Sequence, residues 1–112
     1  MTRKEITDAY KQIKFPMGVF QIRNTVNGKI LIESSPNLDK IWNRHQAQLN
    51  FGSHQVADLQ KDWQTLGAES FVFEILSEIE PEEDSRKNTK ALKTLEQMFI
   101  EEFQPFGEKG YH

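Results

Sequence analysis

Two short apolar runs, Gly18–Asn24 and Lys29–Ser34, flank the tetrapeptide Thr25-Val26-Asn27-Gly28. Both have strand length. Asn-Gly between strand-like runs predicts a hairpin, because a tight turn needs positive φ and these two residues tolerate it best. Ser34-Ser35-Pro36-Asn37 stops the second strand and offers Asn37 as a helix N-cap. Leu38, Ile41, Trp42, His45 and Leu49 then recur at helical spacing, and Asn50-Phe51-Gly52-Ser53 signals the end of that helix. A second helix is expected near His54–Leu66, with Val56, Leu59, Trp63 and Leu66 on one side and Gly67 at its end. Ser70–Ile79 reads as a third strand, with Phe71, Phe73 and Ile75 on one face and Val72, Glu74 and Leu76 on the other. Pro81-Glu82-Glu83-Asp84 is an acidic turn suited to a helix start, where negative charge meets the positive end of the dipole. Leu92, Leu95, Phe99 and Phe103 stripe a last helix over about Asp84–Phe103, which Pro105 and Gly107 end.

Ahead of the hairpin, Thr2 and Glu5 have capping-box spacing, and Ile6, Ala9, Tyr10 and Ile13 recur at helical intervals. Residues 2–14 therefore read as a helix that Pro16 ends, with Phe15 biased towards extended geometry. Two roles fit this helix: packing over the sheet or its edge, or serving as a dimer or partner helix. Residues 1–16 form a helical extension in this reading, and 17–112 form one compact domain. The element order is α-β-β-α-α-β-α, a small three-stranded antiparallel sheet flanked by helices, of the α+β class.

Composition narrows the chemistry. The 112 residues include no cysteine, which excludes disulfides and thiolate metal sites. No apolar run approaches membrane-spanning length, and the first residues lack the apolar middle of a signal peptide. A soluble, cytoplasmic protein without a membrane partner is the expectation. The formal net charge is −3, whereas affinity for a phosphate backbone comes mostly from Lys and Arg. That charge is uneven: residues 1–65 hold nine Lys/Arg against six Asp/Glu, and residues 66–112 hold five against eleven. The hairpin half is mildly basic, which keeps DNA or RNA open as a ligand.

The ordered set of signals resembles the GIY-YIG nuclease family. Its first-strand triplet is matched by Gly18-Val19-Phe20, its Asn-Gly-Lys turn by Asn27-Gly28-Lys29, and its second triplet by Leu31-Ile32-Glu33. Its helix Trp-x-x-His is matched by Trp42-Asn43-Arg44-His45. Gly52-Ser53-His54, Leu59-Gln60, Trp63, Gly67 and the third-strand block Phe71–Leu76 continue the likeness. The resemblance implies a domain that cuts phosphodiesters with one divalent metal, a Tyr or metal-bound water, an Arg on the phosphate and a Glu on the metal. Such chemistry needs a base, a donor for developing charge and a Lewis acid. Carried over position by position, the first Tyr is Phe20, the second Tyr is Leu31 and the helix Arg is Ile41. Three polar roles have become three apolar side chains.

Glu96 matches the metal-binding Glu, and the resemblance thereby implies Mg²⁺. One carboxylate is a poor Mg²⁺ site unless substrate phosphates add ligands. Its other reading is a stripe-edge carboxylate that reaches water or pairs with Lys93 or Lys29. His45 is either a packed histidine hydrogen-bonded to backbone or a surviving phosphate or proton-transfer group. His54, exposed by its loop context, is an N-cap-region residue or a nucleic-acid contact. His112 stands where the family often has Asn, and as the last residue it is expected to be frayed. Glu33 stands where the family has Gly, adding bulk and negative charge; together with Glu96 it offers a new metal site. Arg23, Lys29, Lys40, Arg44 and Lys61 are a solvated surface or, if they converge, a nucleic-acid footprint. Three readings follow. One is a retired nuclease domain kept as a binding module for nucleic acid or protein. The next is a metal-dependent endonuclease rebuilt on Glu33, His45, His54 and Glu96. The last is a protein-interaction module without a nucleic-acid role.

Overall fold

The structure, a computed structural model, describes residues 15–112; the helix expected over residues 2–14 lies outside the described residues. Three strands, β1 (Met17–Asn24), β2 (Ile30–Ser35) and β3 (Phe71–Ile79), form one antiparallel sheet in the order β2-β1-β3. Among the described residues the α-helices are α1 (Leu38–Phe51) and α2 (Ala57–Leu66), between β2 and β3, and α3 (Ser85–Phe103), after β3. The expected α+β order therefore holds from the hairpin onwards.

The hairpin loop is looser than the Asn-Gly signal suggests. Gly28 has φ 78°, but Asn27 is not among the residues of positive φ. Asn27 instead accepts the Lys29 N–H on its side chain at 2.9 Å, and the Gly28 N–H donates to the Asn24 carbonyl at 2.8 Å. At the other end of β1, Gly18 answers a steric demand. A Cβ there would overlap the Ser77 carbonyl oxygen, beside the β1–β3 register shift between Val19 and Phe20.

Alternation along the strands divides the sheet into two faces. Phe20, Ile22, Leu31 and Phe71 lie on one, buried with Leu38 and Leu49 of α1 and Leu59 and Trp63 of α2. Fully burying one such side chain contributes about 1.5–3 kcal/mol. The other face carries Val19 and Ile32, both fully buried, and α3 packs against β2 and β1. Asn37 caps α1 by accepting the Asp39 N–H, and Gly52 ends that helix in the left-handed conformation, as its sequence signals require. The second helix begins at Ala57 rather than His54, with Val56 as its N-cap. Asp84 is the N-cap of α3, which closes at a left-handed Gln104.

The chain then returns to the open edge of β2. The Tyr111 N–H donates to the Ile30 carbonyl at 3.0 Å, and Gly110 pairs with Ile30 in parallel. Covering an edge strand in this way removes unpaired backbone groups from water.

Candidate functional site: a carboxylate and two histidines in line

Register places Glu33 opposite Phe20, on the face beneath α1. His45 lies one helical turn after Ile41 on α1 and is buried, its ring edge-on to Phe20 at 5.7 Å. Its Nε2 is 2.9 Å from Glu33 Oε2, and its Nδ1 is 2.8 Å from His54 Nε2. His54 sits in the α1–α2 loop, half-buried rather than exposed, with its Nδ1 accepting the Val56 N–H at 3.0 Å. Gln60 holds this loop: its Oε1 accepts the His54 N–H at 3.1 Å and its Nε2 donates to the Leu49 carbonyl at 2.8 Å. The partners of His45 are thus side chains, not the backbone groups expected of a merely packed histidine.

The Val56 N–H sets the direction of the whole line, because a backbone donor cannot reverse. His54 Nδ1 must be bare to accept it, so the neutral ring carries its proton on Nε2 and donates to His45 Nδ1. His45 in turn carries its proton on Nε2 and donates to Glu33. Burial pushes the His54 pKa below the usual histidine range; adjacent His45 adds to that, and the Glu33 charge opposes it. The line ends at a carboxylate whose side chain is 37% exposed.

The side chains packed around this line are apolar. Phe20 is fully buried and Leu31 is 3% exposed, both within the core cluster, and half-buried Ile41 packs against it. Trp42 stacks on Phe73 with centroids 5.7 Å apart.

Glu96 meets the sheet at Ser34, the residue after Glu33. Its Oε1 accepts the Ser34 N–H at 2.8 Å, and Ser34 pairs opposite Val19 on the α3 face, whereas Glu33 faces α1. A backbone N–H lies in the plane of the sheet, so this contact places Glu96 at the outer edge of β2, while the Glu33 carboxylate is turned onto His45. The expected pairing of Glu96 with Lys93 or Lys29 is replaced by this backbone contact. Among the described residues no three His, Cys, Asp or Glu side chains gather to hold a metal ion. Within the described residues Glu96 supplies one carboxylate, already engaged by the Ser34 N–H, and other Mg²⁺ ligands would have to come from elsewhere. His112 is docked rather than frayed, its Nε2 accepting the Ile32 N–H at 2.9 Å.

The basic residues are dispersed. Arg23 lies on the α3 face, where Glu74 accepts its Nε–H at 2.7 Å. That hydrogen bond raises the Arg23 pKa and lowers that of Glu74. Lys29 Nζ lies 5.7 Å from the Tyr111 ring centroid. Lys40 and Arg44 are exposed one turn apart on α1, and Lys61 is exposed on α2.

One polar cluster has no counterpart in the sequence reading. The Tyr111 hydroxyl donates to Asp62 at 2.7 Å and accepts from the Asn24 amide at 3.1 Å. Burial is the largest cause raising the Tyr111 pKa above its usual value. These residues are 49 and 87 positions apart, so no local spacing in the sequence points to the cluster. A cavity of about 430 Å³, lined by Gln21, Asn27, Gly28, Ile30, Phe103, Glu108 and Lys109, shares no residue with the Glu33–His45–His54 line.

A three-stranded antiparallel sheet with α1 and α2 on one face, α3 on the other, and a histidine of α1 beside the hairpin defines the GIY-YIG nuclease fold. The chain superposes on the catalytic domain of homing endonuclease I-TevI with TM-score 0.71 and 30% identity, covering 85% of this chain and 95% of that one. A single-residue variant of the catalytic domain of intron endonuclease I-TevI gives TM-score 0.74 at 28% identity, covering 88% and 93%. Intron-associated endonuclease 1 of Enterobacteria phage T4 is 37% identical over 67 residues, 60% of this chain. The match spans 27% of that protein's length, about a quarter of it. No protein-family model matches. The chain belongs to the GIY-YIG nuclease family.

Proposed function

We infer that this domain binds nucleic acid without cutting it. One observation carries the reading: the two triplet positions that bear tyrosine in the family are carbon side chains sealed in the core, Phe20 and Leu31. Neither accepts or donates a proton, and Ile41 offers no positive donor. A positioned acid or base contributes about 10²–10⁴-fold and an oxyanion-type donor about 10²–10³-fold. Loss of all three leaves little rate even though such effects do not add. His45, the remaining candidate base, already donates its Nε2 proton to Glu33, and its Nδ1 accepts from His54.

Nucleic acid is favoured over a protein ligand because the similar proteins are endonucleases and because Lys40 and Arg44 flank the site on α1. A Mg²⁺ ion at Glu96 would take its other ligands from phosphate oxygens and water. Fluorescence anisotropy of labelled single-stranded, duplex and branched DNA, titrated at several salt concentrations, tests the reading. Affinity that falls steadily with salt supports it; a flat response at low salt refutes it and points to a protein partner.

A further inference from the structure

The inferred ligand leaves open what controls its access to the histidines. Glu33 projects from the covered edge strand onto His45, and among the described residues that contact is the one hydrogen bond of its side chain. It is 37% exposed, while the His45 side chain beneath it is 7% exposed. Among the described residues, the His45 N–H is thus capped by a carboxylate held by a single hydrogen bond. The rest of the line is rigid by comparison, since His54 is pinned at both ends by the Val56 N–H and Gln60.

We propose that Glu33 is a displaceable latch: its carboxylate occupies an oxyanion seat at His45 Nε2–H, and a phosphate group takes that seat when Glu33 swings out. This rests on the nucleic-acid reading above and names the group recognised. The fit to an oxyanion is shown by the internal one already bound, at 2.9 Å. The donor is a neutral imidazole N–H whose proton is directed outwards by the Val56–His54–His45 line, so it needs no positive charge on the ring. Lys40 and Arg44 sit on the neighbouring exposed stripe of α1, one position before Ile41 and His45 respectively, and give the rim a positive charge. Phosphate is favoured over a second carboxylate because three or more acceptor oxygens reach His45 and the rim together. In the latched state the negative charge of Glu33 repels the ligand that would replace it. The latch makes the seat selective for a polyanion that also engages the rim.

Inorganic phosphate titrated into the full chain, followed by the imidazole ¹⁵N and ¹H shifts of His45 and His54, tests the latch. Glu33→Ala removes the carboxylate, and Glu33→Gln keeps its shape with a neutral acceptor. Removing one like charge at contact distance strengthens phosphate binding by about five- to tenfold. The expected order of affinity is Glu33→Ala, then Glu33→Gln, then wild type, with the gain abolished in Glu33→Ala/His45→Phe. Equal affinity in all three, or a gain that survives loss of His45, overturns the latch. DNA cleavage by the wild type would refute the binding-only reading while leaving this order unaffected, so the two failures are separable.

Discussion

Position 33 shows how one side chain redirects a site. Glycine there would leave His45 Nε2 open; glutamate fills the space and takes the proton's hydrogen bond. The substitution is plain in the sequence, but its partner is not. Glu33 and His45 are 12 residues apart on different elements, and their contact depends on the strand register and on the rotation of α1. His54 was equally hidden, because the helix expected to begin there begins at Ala57 and leaves His54 in a loop that turns inward. A pH dependence follows. The folded state holds the His54 pKa below its usual 6.5, so the folded chain binds fewer protons than the unfolded chain in the intervening range. This stabilisation is complete above about pH 6.5 and is lost as pH falls through the folded value. The melting temperature is expected to decline as pH falls below about 6.5, and His54→Gln is expected to flatten the decline. An equally steep decline in the variant would contradict the assignment. At Tyr111, removal of the hydroxyl leaves the buried Asn24 amide without its acceptor. Tyr111→Phe is expected to cost about 1–3 kcal/mol in denaturant unfolding.

Among the elements, the three strands and three helices were largely legible because each carries its own punctuation. Asn37, Gly52, Gly67 and Asp84 end or start helices where the sequence signals them. The β1–β3 seam was not legible. Its register shift depends on the close approach of Gly18 to Ser77, which no local pattern announces. Gly18→Ala is therefore expected to destabilise the fold by about 1–3 kcal/mol through overpacking, measured by denaturant unfolding. The covered edge of β2 was also out of reach of local reading. Three separate parts of the chain meet there: the Tyr111 N–H on Ile30, the His112 ring on Ile32 and the Glu96 carboxylate on Ser34.

For the molecule as a whole, the fold of a nuclease domain is kept, and on the proposed reading the positions expected to transfer protons, Phe20 and Leu31, are apolar. Family membership was legible from ordered motifs, each weak alone, since their sequence order is what the fold preserves. Function was less legible because it depends on which side chains converge. Arg23, which composition groups with Lys40 and Arg44, lies on the α3 face under Glu74. Phosphate binding through the α1 rim predicts that Lys40→Ala and Arg44→Ala each reduce the salt slope of DNA binding by about one, while Arg23→Ala leaves it unchanged. The most direct measurement is a cleavage assay on end-labelled single-stranded, duplex and branched DNA with Mg²⁺ and Mn²⁺. It compares the wild type with the combined Phe20→Tyr, Leu31→Tyr, Glu33→Gly and Ile41→Arg variant. The account predicts intact DNA with the wild type and metal-dependent cleavage with the variant. Cleavage by the wild type that His45→Ala abolishes would contradict it, and would mean that Glu33, His45 and His54 form a working centre.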